Sequence, residues 1–326
     1  MAGETTTSSL SVDQIAFDRI AYFALRSELL FDQVADVMPT AQSMPGSAVT
    51  FTKMADLAAA TSELNEVTDV TPTALSDSQV TVTLKEYGNA VVTTAKLRGT
   101  SFLDVNTAAA NIIGYNAGDS IDQVVRDVLA AGDNVAYGSG GASLPTSRAT
   151  VGSDDTLTAA NVRRVVAALR KANVATFKGA YAAFIHPDVS YDFRAATDAA
   201  GWRSPHNNVD TDGIYMGEIG TFEGVRFVES PRTKIWADAS DGSGSSTGAG
   251  AKVDVYATHF MGRQALAKAH STTDGNGAFP KVVRGTVADY LNRLQPLGWY
   301  WLGGYGIFRQ ESLWRVESSS SIGANT

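Results

Sequence analysis

The chain has 326 residues, 44% hydrophobic and 18% charged, a balance that supports a sizeable core and argues against disorder. Its formal net charge is −8, the wrong sign for a basic nucleic-acid-binding domain, and it has no cysteine, which excludes disulfides, thiolate metal sites and a cysteine nucleophile. No stretch reaches the roughly 18 consecutive apolar residues of a membrane span, and the polar start MAGETTTSSL does not resemble a signal peptide.

The first element predicted is a helix. In SVDQIAFDRIAYFALRSELLFDQVAD, Ser11 and Gln14 fit a capping box. Ile20, Phe23, Ala24, Leu30, Val34 and Met38 recur on one helical face until Pro39 and Pro45 stop it. So wide an apolar face after a polar tail points to a partner subunit beneath it.

From Gly46 the period changes to two. SAVTFTKM places Val49 and Phe51 on one side of a strand, and SQVTVTLKEYGNAVVTTAKL does the same with Val80, Val82 and Leu84. The connection between them is threonine-rich and acidic, and it carries Leu57, Leu64, Val70 and Leu75. The pair reads as an extended hairpin whose edges need a neighbour to cover them.

A long helix follows, with Ile121, Val124, Val125, Val128 and Leu129 on one stripe and a kink or break expected near Gly114 and Gly118. After a glycine-rich loop, an amphipathic helix spans Leu157 to about Asn173. Its RRVVAALRK segment, Arg163 to Lys171, reads as a solvated face in preference to a phosphate-binding strip. GAYAAFIHPDVSYDF predicts a buried strand ending at Pro187 and then a short helix. GVRFVES and KVDVYATHF predict further strands around a glycine- and serine-rich loop, and the last residues return to strands. There Trp299, Trp301 and Trp314 read as packing anchors rather than a pocket lining, with the glycines allowing close backbone approach. The class is α+β, without internal repeat.

Motifs of catalysis are missing from this pattern. His186 lies near Asp188 and Asp192 without the spacing of a zinc motif, and Pro187 beside it marks a strand end or helix cap. His206, His259 and His270 fall on separate segments. GSGSS lacks the helix that a nucleophile elbow requires, and no phosphate loop or dinucleotide fingerprint occurs. The acidic pairs Glu63/Glu66 and Asp154/Asp155, and the segment DASDG, read as solvated acids.

The order of elements resembles the HK97-type fold of tailed-bacteriophage major capsid proteins. Local wording resembles the podovirus-type coat protein family, in MPGSAVTFTKMADLAAATSELNEVTDVTPTALSDSQVTVTLKEYGNAVVTTAKL, IDQVVRDVLAAGDNVAYG, FIHPDVSYDF and VDVYATHFMGRQALA. The resemblance implies a helical N-arm over residues 1–45, an extended E-loop hairpin over 46–97, and a P-domain spine helix with its following loop over 98–150. It implies an A-domain over 151–265 and return strands of the P-domain with a tail over 266–326. It implies a structural subunit of an icosahedral head around double-stranded DNA, assembled in the host cytoplasm as hexamers and pentamers, with no catalytic residue, metal, cofactor or membrane. Portal, a separate scaffold and decoration proteins are the implied partners. The candidate subunit-interface side chains are Phe23, Leu30, Phe31, Phe51, Leu57, Leu64, Val70, Leu75, Tyr87, Trp299 and Trp301. Lys53 and Lys85 lie in the hairpin away from its tip, so no covalent cross-link is expected, and the acidic balance suggests a lumen that holds DNA loosely. An encapsulin-like cargo shell is the nearest alternative, and a hydrolase built on His186 a remote one.

Overall fold

The structure, a computed structural model, describes residues 31–35, 48–55, 57–61, 63, 69, 72–100, 105–141, 144–195, 218–240, 252–271, 277–286, 289–291 and 293–322. The predicted N-terminal helix, with Phe23 and Leu30, lies outside the described residues apart from a single 3-10 turn at Phe31–Val34. Leu64, Val70, His206 and the glycine- and serine-rich loop at 241–251 also lie outside them.

The period-two segments form the expected antiparallel hairpin. β1 (Ala48–Met54) pairs with β2 (Asp77–Thr83) from Ala48↔Thr83 to Met54↔Asp77, and the described residues of the connection are exposed. Val49, Phe51 and Val82 turn inward to a small core with Ala267, Ala269 and Phe308. One residue after β2 the chain becomes β3 (Lys85–Thr94), which leaves the hairpin for another sheet. A short exposed helix, α1 (Ala95–Thr100), then leads to α2 (Val105–Ala130).

The long helix runs unbroken for 26 residues, about 39 Å, where a kink or break was expected at Gly114 and Gly118. Both glycines are buried with Ala110, Ile113, Ala117 and Ile121 on the face that meets the sheets. Each glycine costs a helix about 1 kcal/mol, and here close packing of that face offsets the loss.

After α2 come β4 (Val135–Tyr137), α3 (Ala159–Lys171), β5 (Tyr181–Ile185), α4 (Pro187–Ala195), β6 (Glu218–Phe222), β7 (Val225–Glu229), β8 (Ile235–Trp236) and β9 (Val255–Met261). Thr158 caps α3 by accepting from the Asn161 N–H, and Val162, Val165, Val166 and Leu169 form its buried stripe. The chain closes with β10 (Leu266–His270), β11 (Lys281–Arg284), β12 (Leu294–Ile307) and β13 (Leu313–Ser318).

Two sheets result. The larger has the order β4-β13-β9-β5-β7-β6, with β8 on β9. Along β5, Phe184 faces the α2 core while Tyr181, Ala183 and Ile185 face a second core with α3 and α4, so the sheet is covered on both sides. Every residue of β9 is buried, Thr258 and His259 included, as suits a strand in the interior of the sheet. The smaller sheet is built on β12. Gly303 pairs with Lys85 of β3 and with His270 of β10, so those strands occupy opposite edges, and β11 continues the β10 edge.

The 266–326 segment does not return to one sheet as a unit. β10, β11 and β12 join the smaller sheet, whereas β13 enters the larger one between β4 and β9. Leu313 and Val316 fill the cores on its two faces, so β13 suits an interior position better than an edge.

The hairpin lies so close to β12 that a Cβ on Gly304 would sit 2.3 Å from the Thr83 carbonyl oxygen. Gly304→Val is expected to lower unfolding free energy by about 1–3 kcal/mol, seen as an earlier denaturation midpoint. Gly99→Ala, with nothing within 4 Å of its Cβ, is the control that should leave the midpoint unchanged or raise it.

Candidate assembly surfaces and the joints behind them

Without cysteine, the chain braces its parts through buried ion pairs and packed rings. The first joint holds residues 31–35. Phe31 is fully buried, meets Phe184 edge-on at 4.7 Å and donates its N–H to Asp122 Oδ1 at 3.3 Å. Asp32 accepts from Lys268 Nζ at 2.8 Å on each carboxylate oxygen, and from the Tyr305 hydroxyl at 2.7 Å. Lys268 is itself buried, with its ammonium 4.9 to 5.9 Å from the ring centres of Phe279, Trp301 and Tyr305. Burial pulls the Lys268 pKa down while Asp32 opposes the fall, and burial pushes Tyr305 well above its ordinary value.

A second joint straps the larger sheet to α2. In the turn after β7, Arg232 reaches Tyr115 Oη at 3.1 Å, Asp122 Oδ2 at 3.4 Å and Asp119 Oδ1 at 3.5 Å. Lys234 adds Asp127 Oδ1 at 3.0 Å.

The third joint is a triad of buried Glu317 and Arg315 with half-buried Arg148. Glu317 accepts from Arg315 Nε at 2.7 Å and from Arg148 at 2.7 and 2.9 Å, and the Arg148 guanidinium lies 3.6 Å from the centre of the Trp236 ring. Arg315 also donates to the carbonyls of Ala130 and Gly132, which satisfies the C-terminal end of α2.

His259 pairs across the sheet with Arg315, is fully buried, and has no hydrogen-bond partner on either ring nitrogen among the described residues. Burial first, then Arg315 and Arg126, pull its pKa down to about 3.

Geometry turns His186 into a helix start. Its Nδ1 accepts from the Asp188 N–H at 3.2 Å and its carbonyl accepts from the Ser190 N–H at 2.9 Å. An accepting Nδ1 carries no proton, so the Asp188 carboxylate 3.4 Å away makes no ion pair with it. That carboxylate accepts instead from Tyr256 Oη at 3.0 Å, and burial lowers the His186 pKa. His259 and His270 stand in different sheets, and among the described residues no cluster of histidine and carboxylate side chains could hold a metal ion.

The interface candidates fall into two groups. Phe31, Trp299 and Trp301 fill the α2 core and Phe51 the hairpin core, so these side chains serve the chain's own interior. Tyr87 stacks on Trp301 at 6.0 Å, and Trp299 donates to Asn116 Oδ1 at 2.9 Å. Leu57 and Leu75, in contrast, are 56% and 71% exposed on the hairpin connection, beside Met54 at 67%. Tyr290 and Leu291, between β11 and β12, are also exposed. Sequence reasoning missed them, although an apolar pair amid Asp289, Asn292 and Arg293 signals a turn that shows its side chains.

Two predictions follow from the joints. Asp32→Asn strands a buried ammonium and should destabilise the fold by about 3–5 kcal/mol in chemical denaturation, with Lys268→Met in the same chain recovering much of the loss. For His259 the folded pKa lies below the unfolded value of about 6.5, so its contribution is complete above that pH and shrinks as pH falls toward 3. Thermal unfolding should shift to lower temperature below pH 6.5, with a slope of at most about 1.4 kcal/mol per pH unit from this residue. His259→Gln should flatten that limb without abolishing it, because burial also lowers the pKa of His186 and His270.

Comparison with known proteins agrees with this architecture. The capsid of Ralstonia phage GP4 superposes with a TM-score of 0.71 at 17% identity, covering 93% of this chain and 92% of that one. The cyanophage Pam1 capsid gives 0.65 at 16% identity, covering 89% of each chain. The head of Helicobacter pylori bacteriophage KHP40 gives 0.60 at 11% identity over 90% of each. These likenesses establish the HK97-like α+β fold. No curated protein sequence matches the chain. The profile of the phage capsid protein family matches residues 6–315, so the chain belongs to that family, as a structural subunit of a tailed-phage capsid.

Proposed function

We propose that this chain is the repeating subunit of a closed icosahedral head, arranged in hexamers and pentamers around double-stranded DNA. The observation that carries the reading is the hairpin: β1 and β2 are anchored at their base, while Leu57 and Leu75 stand exposed on the connection between them. Apolar side chains held out in this way lose water contact when a second copy covers them. In this reading β1 and β2 are the E-loop and α2 the spine of a P-domain with the smaller sheet. The larger sheet with α3 and α4 is the A-domain turned toward the capsomer axis, and the segment before Phe31 is an arm that clasps a neighbour. Each contact can be modest, because closure multiplies them. In this reading the subunit performs no catalysis, and His186 serves as a helix start. Portal, scaffold and decoration proteins are its further partners, with assembly in the host cytoplasm.

The test is sedimentation with electron microscopy of particles from the full chain, supplied with scaffold where the chain alone stays small. Shells or capsomer-sized rings are expected. Leu57→Ser with Leu75→Ser should cut particle yield at least about tenfold, while circular dichroism and the subunit's unfolding midpoint stay unchanged. Particle yield equal to the parent's would remove the hairpin from the assembly contacts.

A further inference from the structure

The face of α3 opposite its buried stripe carries Arg163, Arg164, Arg170 and Lys171, all exposed, with Ala167 between them. At 1.5 Å per residue the cations span about 12 Å along the axis, roughly three to four phosphate spacings on one strand of a duplex. Arg163 donates to Glu223 Oε1 at 2.9 Å. Arg164, Arg170 and Lys171 make no ion pair among the described residues, and the Arg170 guanidinium lies beside Gly224 at the β6–β7 turn. This concentration of positive charge occurs in a chain whose net charge is −8.

We infer that this face of α3 is a contact for the phosphate backbone of double-stranded DNA. The inference rests on the proposed enclosure of DNA by the shell and names the surface that touches it. A protein partner suits the face poorly, because interface centres are apolar and aromatic, whereas the exposed apolar side chains on this face are the small Ala160 and Ala167. A polyanion needs what is present: long cationic side chains, solvent-facing and one or two helical turns apart, that neutralise phosphates and release counterions without reading sequence. The chain's net charge of −8 keeps the contact weak and labile to salt, which suits a genome that must be packed and released.

The experiment measures fluorescence anisotropy of a short labelled duplex with the full chain across a salt series, with particle formation scored separately. The parent should bind at low salt without sequence preference. Arg164→Gln, Arg170→Gln and Lys171→Gln together should flatten the plot of log affinity against log salt by about 3, and should weaken low-salt binding at least about tenfold. Lys85→Gln with Lys96→Gln, which neutralises exposed cations elsewhere, should leave both nearly unchanged. Failure of the parent to bind duplex at low salt overturns the inference, as does a triple variant that binds like the parent. A triple variant that keeps DNA binding but forms no particles assigns the face to a subunit contact and also overturns it. Failure of the parent to form particles at all bears on the proposed function instead.

Discussion

β12 is bonded along both edges, and the smaller sheet, the hairpin and α2 all take their positions from it. β3 occupies one edge for ten residues, and β10 with β11 occupies the other. Trp299 and Trp301 project from it into the α2 core, where Trp299 bonds Asn116 and Trp301 stacks with Tyr87. Gly298, Gly304 and Gly306 keep it bare where Asn89, Thr83 and Val82 approach. A strand that must be aromatic for its helix and side-chain-free for β3 and the hairpin explains why tryptophans and glycines crowd together in LGWYWLGGYG. It also explains why the wording resembles a ligand site without being one.

The chain passes between the two sheets three times, from β3 through α2 to β4, from β9 to β10 and from β12 to β13. Packed rings alone would resist separation there without specifying register, whereas buried charge does specify it. Lys268 on β10 finds its carboxylate on Asp32, and Arg315 on β13 finds Glu317 together with the carbonyls that end α2. Removing one partner strands a charge in a dry interior, so each joint tolerates little displacement. Rigid joints inside the subunit leave adjustment to the hairpin, the element through which copies of a shell protein would meet at slightly different angles.

Much of the fold was legible because period and punctuation agreed. β1, β2, α3, β5 and the start of α4 fall where alternation, the helical stripe and Pro187 place them. Gly114 and Gly118 misled, since a glycine that admits a neighbouring backbone has the same sequence signal as one that breaks a helix. The destination of β13 was also hidden, because a strand's own residues do not name the sheet that receives it. The arm joint was out of reach for a related reason: Asp32 and Lys268 are 236 residues apart and carry no local motif. Leu57 and Leu75 were legible as apolar side chains in a polar connection, whereas Phe51 and Trp301, equally apolar, are spent on the interior. Only burial separates the two groups.

We propose a subunit complete in its body and covered at its hairpin connection only by a neighbour. Hydrogen exchange compared between dissociated subunits and assembled particles tests that claim most directly. Amides of α2 and β12 should be protected in both states, and those of the hairpin connection around Leu57 and Leu75 should gain protection only in the particle. Equal exchange of the hairpin in both states would contradict the account, because a segment that no neighbour covers cannot be what joins the copies.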